Sequence, residues 1–219
     1  HQGKPGSMYD ESCNGTWLLM KDCYENRQWH SSNNNDYAAS TIHSYLNGAF
    51  LNLFDANIKA AIKQVKLPYR PGAGYGKNVN TGASGLSAKI FLLSAEEVSF
   101  NFSYMPTGEG AELAYFKGCQ DNSSDNKRIA YLNNSAVYWW LRSPYCYSGV
   151  GAAFALRVYS NGSWGYYDCS NAYALRPALV LPSTLSVSDD GSVQTNKAPS
   201  ITSPSGASGV NLGSKALKF

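Results

Sequence analysis

The stretches YWWLRSP (residues 138–144) and LRPALVLP (residues 175–182) decide the fold of this chain. Each is predicted to be a buried β-strand, because a short apolar run bounded by turn residues is typical of a strand in a core. In an extended strand, Trp139 and Trp140 point to opposite faces. Each stretch carries one arginine, Arg142 or Arg176, and we expect these guanidinium groups to donate to several backbone carbonyls. The side chains expected in the core are Trp139, Trp140, Leu141, Leu179 and Leu181.

Residues 145–173, YCYSGVGAAFALRVYSNGSWGYYDCSNAY, differ in composition from both flanks. Six of these 29 residues are Tyr, four Ser, four Gly and two Asn, and only Arg157 and Asp168 are charged. Tyr supplies a large contact area and a hydroxyl at low entropic cost, while Ser, Gly and Asn supply adaptable hydrogen bonds, as in antibody paratopes. A buried core would favour Leu, Ile and Val. The composition therefore favours a binding surface.

Further strands are predicted on both sides of this segment. The dipeptide Asn161-Gly162 predicts a hairpin of residues 154–160 and 163–168 joined by a tight type I′ turn. Residues 16–20, TWLLM, are predicted to form a strand with residues 26–30 as its hairpin partner. Residues 90–93 and 178–181 are predicted to be short buried strands. The sequence from Ser94 to Glu97 matches a helix capping box.

Two helices are predicted in the first third of the chain. The first is capped by Asp36 or Ser40. The second begins at Asp55 and stops at Pro68, because proline cannot supply the next helical N–H. The apolar faces of the two helices consist of Tyr37, Ile42, Tyr45, Leu46 and Phe50, and of Ile58, Ile62 and Val65. Because strands and helices do not alternate, we expect an α+β fold with two helices and antiparallel strands.

The overall composition excludes several classes of protein. The chain has 219 residues, of which 43% are hydrophobic and only 15% charged, with a net charge of +3. This hydrophobic content excludes an intrinsically disordered chain, and the weak charge argues against nucleic acid as a partner. A bilayer-spanning helix needs about 18 or more consecutive apolar residues. No stretch of the sequence reaches that length, so we expect no membrane span.

The sequence offers few residues for catalysis or metal binding. Its five cysteines form no CxxC pair and lie beside no histidine cluster, which argues against a zinc site and for free thiols, with a Cys13–Cys23 bridge left open. The glycines at 72, 74 and 76 lack the strand and helix that a phosphate-binding loop requires. Asp121 and Asp125 lack the glutamate and the glycine of a calcium-binding EF-hand loop. We therefore expect no catalytic residue, no metal and no cofactor.

The chain is predicted to have one main domain with short flanking segments. We expect residues 1–7 to be a remnant of an expression tag, since Met8 follows them and they carry no apolar signal-peptide region. The main domain then covers residues 8–182. Residues 183–219, which are rich in Ser, Gly, Thr and Pro, are expected to be a linker or the start of an immunoglobulin-like module.

The motifs of residues 139–180 resemble a known family. WWLRSP, then Phe154, Val158, Gly162 and Trp164 in an F-x-x-x-V-x-x-x-G-x-W pattern, then ALRPAL, are similar to the variable proteins of diversity-generating retroelements. The segments 40–50 and 90–97 are similar to the amino-terminal part of a subfamily common in gut bacteria and their phages. The resemblance implies a C-type lectin fold of the formylglycine-generating-enzyme type.

The resemblance also implies a function. In this family, error-prone copying of template adenines diversifies surface residues that bind a ligand, and the protein is not an enzyme. The partner is then a protein or glycan on a host-cell surface, and the protein is located on a phage particle or a bacterial cell surface. The ligand-binding residues that the resemblance implies here are Tyr145, Tyr147, Ser148, Tyr159, Trp164, Gly165, Tyr166, Tyr167, Asp168, Ser170, Asn171 and Tyr173.

Three alternatives remain open from the sequence. A formylglycine-generating-type cysteine oxidase shares the fold implied by the resemblance, with Cys146 and Cys169 as the candidate redox pair, although both lie in the diversified stretch. A calcium-dependent sugar lectin is the second alternative, but the E-P-N or Q-P-D tripeptides of such lectins are absent from the sequence. The third, a virion decoration protein, is compatible with ligand binding.

Overall fold

A computed structural model describes residues 1–187 and 193–195, with the side chains of residues 1–185. The described part consists of short strands, short helical segments and long connections. The strands in chain order are β1 (Thr16–Leu19), β2 (Asn26–Gln28), β3 (Val65–Leu67), β4 (Leu86–Ala88), β5 (Ile90–Phe91), β6 (Ala130–Leu132), β7 (Ser135–Val137), β8 (Trp139–Pro144), β9 (Phe154–Val158), β10 (Trp164–Asp168), β11 (Ala172–Ala174), β12 (Ala178–Leu181), β13 (Leu185–Val187) and β14 (Val193–Thr195).

Two sheets organise these strands. The larger has the order β10-β9-β8-β11-β2 and is antiparallel except where β11 runs parallel to β8. The smaller has the order β1-β12-β5 and is antiparallel throughout. The pairs β3/β4, β6/β7 and β13/β14 form separate two-stranded sheets. The fold is therefore α+β with mostly antiparallel strands, as the sequence predicts at this level.

The predicted pairing of residues 16–20 with residues 26–30 is wrong. β1 instead pairs with β12, with Trp17 opposite Val180. β2 pairs with β11, with Arg27 opposite Tyr173. The burial of the strands explains the exchange, because the apolar β1 gains a partner in β12 that is buried at every position, while the polar β2 covers an edge of the larger sheet.

The helical segments are shorter than predicted. Helix α1 (Thr41–Tyr45) is capped by Ser40, whose Oγ accepts the His43 N–H at 3.1 Å, and continues through a π-helical turn (Leu46–Phe50) and a 3-10 turn (Leu51–Leu53). Helix α2 (Ala56–Ala61) ends well before Pro68. Val65, predicted on the face of this helix, lies in β3 opposite Ala88. Across the described residues, the helices are too short to cross a bilayer.

The larger sheet separates two apolar cores, one against each of its faces. Trp139 belongs to the first core and Trp140 to the second, so their predicted orientation toward opposite faces is confirmed. The indole N–H of Trp139 donates to the Arg128 carbonyl at 2.9 Å, and that of Trp140 donates to the Arg27 carbonyl at 3.0 Å. Both rings are fully buried, which fixes β8 as the centre of the structure.

A buried ion pair ties β8 to the capping box. The Arg142 guanidinium donates to both carboxylate oxygens of Glu97, at 2.6 and 2.8 Å, and to the carbonyls of Pro68, Leu92 and Glu109. Glu97 also accepts the Ser94 N–H at 2.8 Å, while its own N–H donates to the Ser94 Oγ, which confirms the capping box. The structural role predicted for Arg142 is thus confirmed. We call Arg142, Glu97 and Ser94 the Arg142 network.

The β9–β10 hairpin is confirmed, but its turn differs from the prediction. Gly162 has a φ of 82° whereas Asn161 does not have a positive φ, so the turn is not type I′. The Gly162 N–H donates to the Tyr159 carbonyl, and the Tyr159 N–H donates to the Ser163 carbonyl, each at 2.8 Å. These bonds define a three-residue loop with glycine in the left-handed region. Arg128, which donates to the Gly162 carbonyl at 2.7 Å, holds this loop in place.

The flanking segments are described only in part. At the amino terminus, Gln2 pairs with Thr16 and the His1 carbonyl accepts the Trp17 N–H at 2.8 Å, so the first residues extend the β1 edge. Whether residues 1–7 derive from a tag stays a prediction. The predicted linker or module at 183–219 lies outside the described residues, apart from the start of that segment and the β13–β14 pair.

Candidate functional site

The predicted binding residues lie on both faces of the larger sheet. Side chains alternate along β9 and β10, so Leu156, Val158, Trp164 and Tyr166 pack on the first core. The residues between them point to the other face. The register sets Gly165 opposite Arg157 and Tyr167 opposite Ala155 on that face. The hairpin therefore separates the predicted set into two groups.

The first group surrounds a buried guanidinium. The Arg157 Cζ lies 4.0 Å from the ring centre of Tyr173, 4.6 Å from Tyr167, 4.7 Å from Tyr138 and 5.2 Å from Tyr159. Cation–π contacts of this kind contribute about 0.5–2 kcal/mol each. We call these five residues the Arg157 surface. They come from β9 and the residue after it, from β10, from β11 and from the residue before β8, so four separate segments build the surface.

The Arg157 surface combines exposed rings with a covered charge. Tyr138 and Tyr167 are 40% and 41% exposed, and Tyr159 and Tyr173 are half-buried. Arg157 itself is only 5% exposed, and its Nε and Nη1 have no hydrogen-bond partner in the part of the chain that the structure describes. The four tyrosine hydroxyls make no hydrogen bond to another described residue. The rings are thus free to contact a ligand with both an aromatic face and a hydroxyl.

A shallow cavity adjoins this surface. It has a volume of about 390 Å³, and Tyr138 and Tyr173 line it together with Asn26, Ser160 and Ala172. Its wall therefore combines two aromatic rings with polar side chains. Ligand sites commonly have this mixture, in which apolar walls supply contact area and a few polar groups set orientation.

The second group stacks on the opposite face of the hairpin. Tyr145 and Tyr166 lie parallel with ring centres 4.0 Å apart, and Trp164 stacks on Phe102 at 4.1 Å. Tyr145 is 5% exposed and its burial raises the pKa of its hydroxyl. Tyr147 is 42% exposed at the rim. In this group, Tyr145 is a packing residue and Tyr147 offers surface.

The other predicted residues differ in exposure. Ser148 and Asn171 are exposed, while Asp168 and Ser170 are half-buried. Gly165 is buried, because the ring of Tyr159 covers the space in which a side chain would lie. Gly165 therefore supports the surface from below and offers no side chain of its own.

Sequence reasoning missed two residues of the Arg157 surface, Tyr138 and Arg157. Tyr138 precedes the segment whose composition drew attention, and Arg157 was noted only as one of its two charged residues. A signal for both was present in strand parity. Tyr138 is two residues from Trp140, and Arg157 is two residues from Tyr159. Because residues two apart in a strand point to the same face, Tyr138 lies on the face of a predicted core residue and Arg157 on that of a predicted binding residue.

The comparison with protein families gives one match. A family described as a domain of unknown function, DUF6273, matches residues 14–183. The chain belongs to the DUF6273 family. Comparison with curated proteins and with solved structures gave no match. The DUF6273 domain begins just before β1 and ends just after β12, so it contains both sheets, the Arg142 network and the Arg157 surface.

All five cysteines of the chain are buried and free, including Cys13 and Cys23, between which the sequence left a bridge open. Burial raises the pKa of the Cys146 thiol to about 11 and raises that of Cys169 further. A thiol reacts as its thiolate, so both cysteines are held in the unreactive form at neutral pH. Cys169 packs in the second core, and Cys146 donates to the Gly76 carbonyl. Across the described residues, no three His, Cys, Asp or Glu side chains come together as a metal site.

Proposed function

We propose that this DUF6273 protein is a ligand-binding protein that displays a variable, tyrosine-rich surface on a C-type lectin-like scaffold. The observation that carries the proposal is the Arg157 surface, in which four tyrosine rings converge on one exposed area of the larger sheet. Three of its residues, Tyr159, Tyr167 and Tyr173, belong to the set that the family resemblance implies to be variable.

The separation between a buried frame, which consists of strands β8, β9 and β10 and the Arg142 network, and the exposed rings of the Arg157 surface supports this function. Strands β8, β9 and β10 bury Trp139, Leu156 and Val158 in the first core, so their backbone is fixed by packing on that side. The Arg142 network adds an ion pair that excludes water. The side chains of Tyr159 and Tyr167 lie outside both restraints. Exchanging them changes the contact surface without removing a hydrogen bond of the frame.

Binding energy is then concentrated in a few aromatic anchors. Large aromatic side chains dominate the energetics of interfaces, and those surrounded by a polar rim contribute most. On this chain, Tyr138, Tyr167 and Tyr173 supply the anchors, and Asn26 and Ser160 lie at the rim. The partner proposed is a protein or glycan on a host-cell surface. The protein itself is proposed to be located on a phage particle or a bacterial cell surface, and to be diversified by a retroelement.

A library experiment tests the division between frame and surface. Residues 159, 167 and 173 are randomised together on a display particle, and resistance to protease reports the fraction of folded clones. We expect most clones to stay folded and some to bind an immobilised test protein such as lysozyme. A matched library at Leu141, Leu156 and Val158, which are buried in the same sheet, is expected to unfold almost entirely. Equal losses of folded clones in both libraries would contradict the proposal.

The genomic neighbourhood provides a separate test of diversification. We expect a near-copy of the coding DNA for residues 140–180 beside a reverse-transcriptase gene, with the two copies differing at adenines of the template. Differences scattered over all four bases, or the absence of any such copy in the source genome, would contradict retroelement diversification and leave ligand binding to the library experiment.

A further inference from the structure

The arginines of the described chain differ in how their charge is satisfied. Arg142 pairs with Glu97, and Arg27 pairs with Glu25 at 2.9 Å. Arg70 and Arg128 donate to backbone carbonyls, and so does Arg176 through its Nε. Of the six arginines, Arg157 alone has two buried nitrogens, Nε and Nη1, without a hydrogen-bond partner among the described residues.

The environment of Arg157 supplies aromatic faces but no anion. The four rings of its surface contact the guanidinium, and no carboxylate of the described residues forms an ion pair with it. A buried charge ordinarily acquires a paired anion or hydrogen-bond acceptors, because it has given up its hydration. The rings satisfy this need only in part, since a ring face offers no oxygen or nitrogen acceptor to the N–H groups of the guanidinium.

We propose that Arg157 binds a carboxylate of the ligand and makes the surface selective for acidic ligands. This inference rests on the proposed function, because it assigns a ligand class to the same surface. The planar guanidinium presents paired N–H donors that match the two oxygens of a carboxylate. The surrounding rings of Tyr167 and Tyr173 provide flat walls for the carbon skeleton that bears the carboxylate.

The position of Arg157 gives this selectivity a further property. Arg157 lies outside the residues implied to be variable, whereas Tyr159, Tyr167 and Tyr173 lie among them. Diversification then alters the walls of the site while the charge at its centre stays constant. We expect variants of the surface to differ in the ligand that they prefer and to share a preference for an acidic one.

Binding requires the tyrosine rings to move. Nε and Nη1 of Arg157 are shielded from solvent in the free protein. Tyr138 and Tyr167 are about two-fifths exposed, so they can rotate outward with little loss of packing. A ligand carboxylate then replaces ring faces as the partner of the guanidinium. The rings of Tyr138 and Tyr167 are therefore expected to change environment when an acidic ligand binds.

The experiment compares acids with neutral compounds of matched shape. The full chain, labelled with ¹⁵N, is titrated with D-glucuronate or D-glucose, and separately with the N-methylamide of N-acetyl-glutamate or of N-acetyl-glutamine, in which the main-chain carboxyl is blocked and only the glutamate side chain is charged. The side-chain Nε–H resonance of Arg157 reports binding. We expect at least one acid to bind tenfold or more tightly than its neutral counterpart. The two pairs distinguish a sugar acid from an acidic peptide side chain as the source of the carboxylate.

Variants locate the effect at Arg157. Arg157→Gln is expected to abolish the preference for the acid, and Arg157→Lys to weaken it severalfold, because lysine keeps the charge but loses the paired donors. Arg27→Gln is the matched control. Arg27 lies in β2 of the same sheet and also contacts a ring, that of Tyr45 at 3.5 Å, but it is already paired with Glu25. We expect this variant to keep the preference.

Three results would overturn the inference. They are equal binding of acid and neutral compound by the natural chain, an acid preference that survives in Arg157→Gln, and an acid preference that Arg27→Gln abolishes equally. The first comparison needs no variant, so a folding defect of Arg157→Gln does not remove the test. If the chain shows no preference for an acid while the library at residues 159, 167 and 173 gives clones that bind, the proposed function is supported and the assigned ligand class is rejected.

Discussion

Arg142 and Arg157 lie on adjacent strands, both are buried, and their surroundings are opposite in kind. Arg142 is held by a carboxylate and three carbonyls, which leaves one geometry available to its side chain. Among the described residues, Arg157 contacts the rings of four tyrosines and forms no ion pair. The chain therefore tolerates change at one of these arginines and not at the other. Removing Glu97 takes the paired carboxylate from a buried charge, whereas altering a ring of the Arg157 surface removes ring contacts only.

The largest expected effect comes from breaking the Arg142 network. Glu97→Gln removes the carboxylate that is paired with Arg142, and the guanidinium stays buried because both residues are fully inaccessible to solvent. We expect a loss of about 3–5 kcal/mol in the free energy of unfolding. Urea denaturation followed by circular dichroism measures it. The control Glu25→Gln breaks the half-exposed pair with Arg27 and is expected to cost no more than about 1 kcal/mol. Equal losses in the two variants would contradict the comparison.

A second buried carboxyl beside the Arg142 network makes stability depend on pH. Burial raises the pKa of Glu109 from 4.5 to about 7. Between these values the folded chain holds a proton that the unfolded chain releases, so the contribution of Glu109 to stability is fully present below pH 4.5 and is lost as pH rises through 7. The loss is about 3 kcal/mol, since one pKa unit corresponds to about 1.4 kcal/mol.

Glu109→Gln removes this titration and is the measurement that isolates it. Urea unfolding at pH 5 and pH 8 is expected to show a fall in stability for the natural chain relative to the variant. His43 acts in the opposite direction, because burial lowers its pKa, but it is present in both proteins. Identical pH profiles for the two proteins would show that Glu109 does not carry the raised pKa.

The comparison extends to two tyrosines that the sequence predicts to be equivalent. Tyr145→Ala removes a buried ring that stacks on Tyr166, and we expect a cost of about 3 kcal/mol in the free energy of unfolding. Tyr167→Ala removes a ring that is 41% exposed, and the expected cost is less than about 1 kcal/mol. Thermal unfolding of both variants checks the order. A larger loss in the free energy of unfolding for Tyr167→Ala than for Tyr145→Ala would show that the Tyr167 ring is a packing residue and not part of an exchangeable surface.

The main strands were predictable because their signals are local. The apolar run around Trp139 and Trp140 and the Asn161-Gly162 turn identify β8, β9 and β10 from neighbouring residues alone. The capping box of Ser94 and Glu97 is likewise identified from the spacing of these two residues along the sequence. These elements form the frame, so the larger part of the frame could be deduced without coordinates.

The partners of short strands and the surface itself were not predictable in the same way. β2 pairs with residues more than 140 positions away, and nothing within Asn26–Gln28 distinguishes that partner from β1. The rings that pack on Tyr145 include Tyr104, from a distant connection, together with Trp164 and Tyr166 of β10. The Arg157 surface draws Tyr138 and Tyr173 from separate strands, so its membership depends on register across the sheet.

The smallest expected effect comes from adding a methyl group at two glycines, one beside fixed backbone and one beneath the Arg157 surface. Gly162 and Gly165 are three residues apart, and a Cβ at either position would overlap a neighbour. At Gly162 the neighbour is the backbone of Asp125 and φ is 82°, so Gly162→Ala is expected to cost about 1–3 kcal/mol. At Gly165 the neighbour is the outer end of the half-buried Tyr159 ring, which can turn toward solvent.

We therefore expect Gly165→Ala to change the free energy of unfolding by less than about 1 kcal/mol and to increase the exposure of the Tyr159 ring. Urea unfolding gives the first quantity, and tyrosine resonance shifts give the second. If Gly165→Ala costs as much as Gly162→Ala, the Tyr159 ring is fixed as firmly as backbone. The Arg157 surface would then be part of the frame, and the contrast with the Arg142 network would be lost.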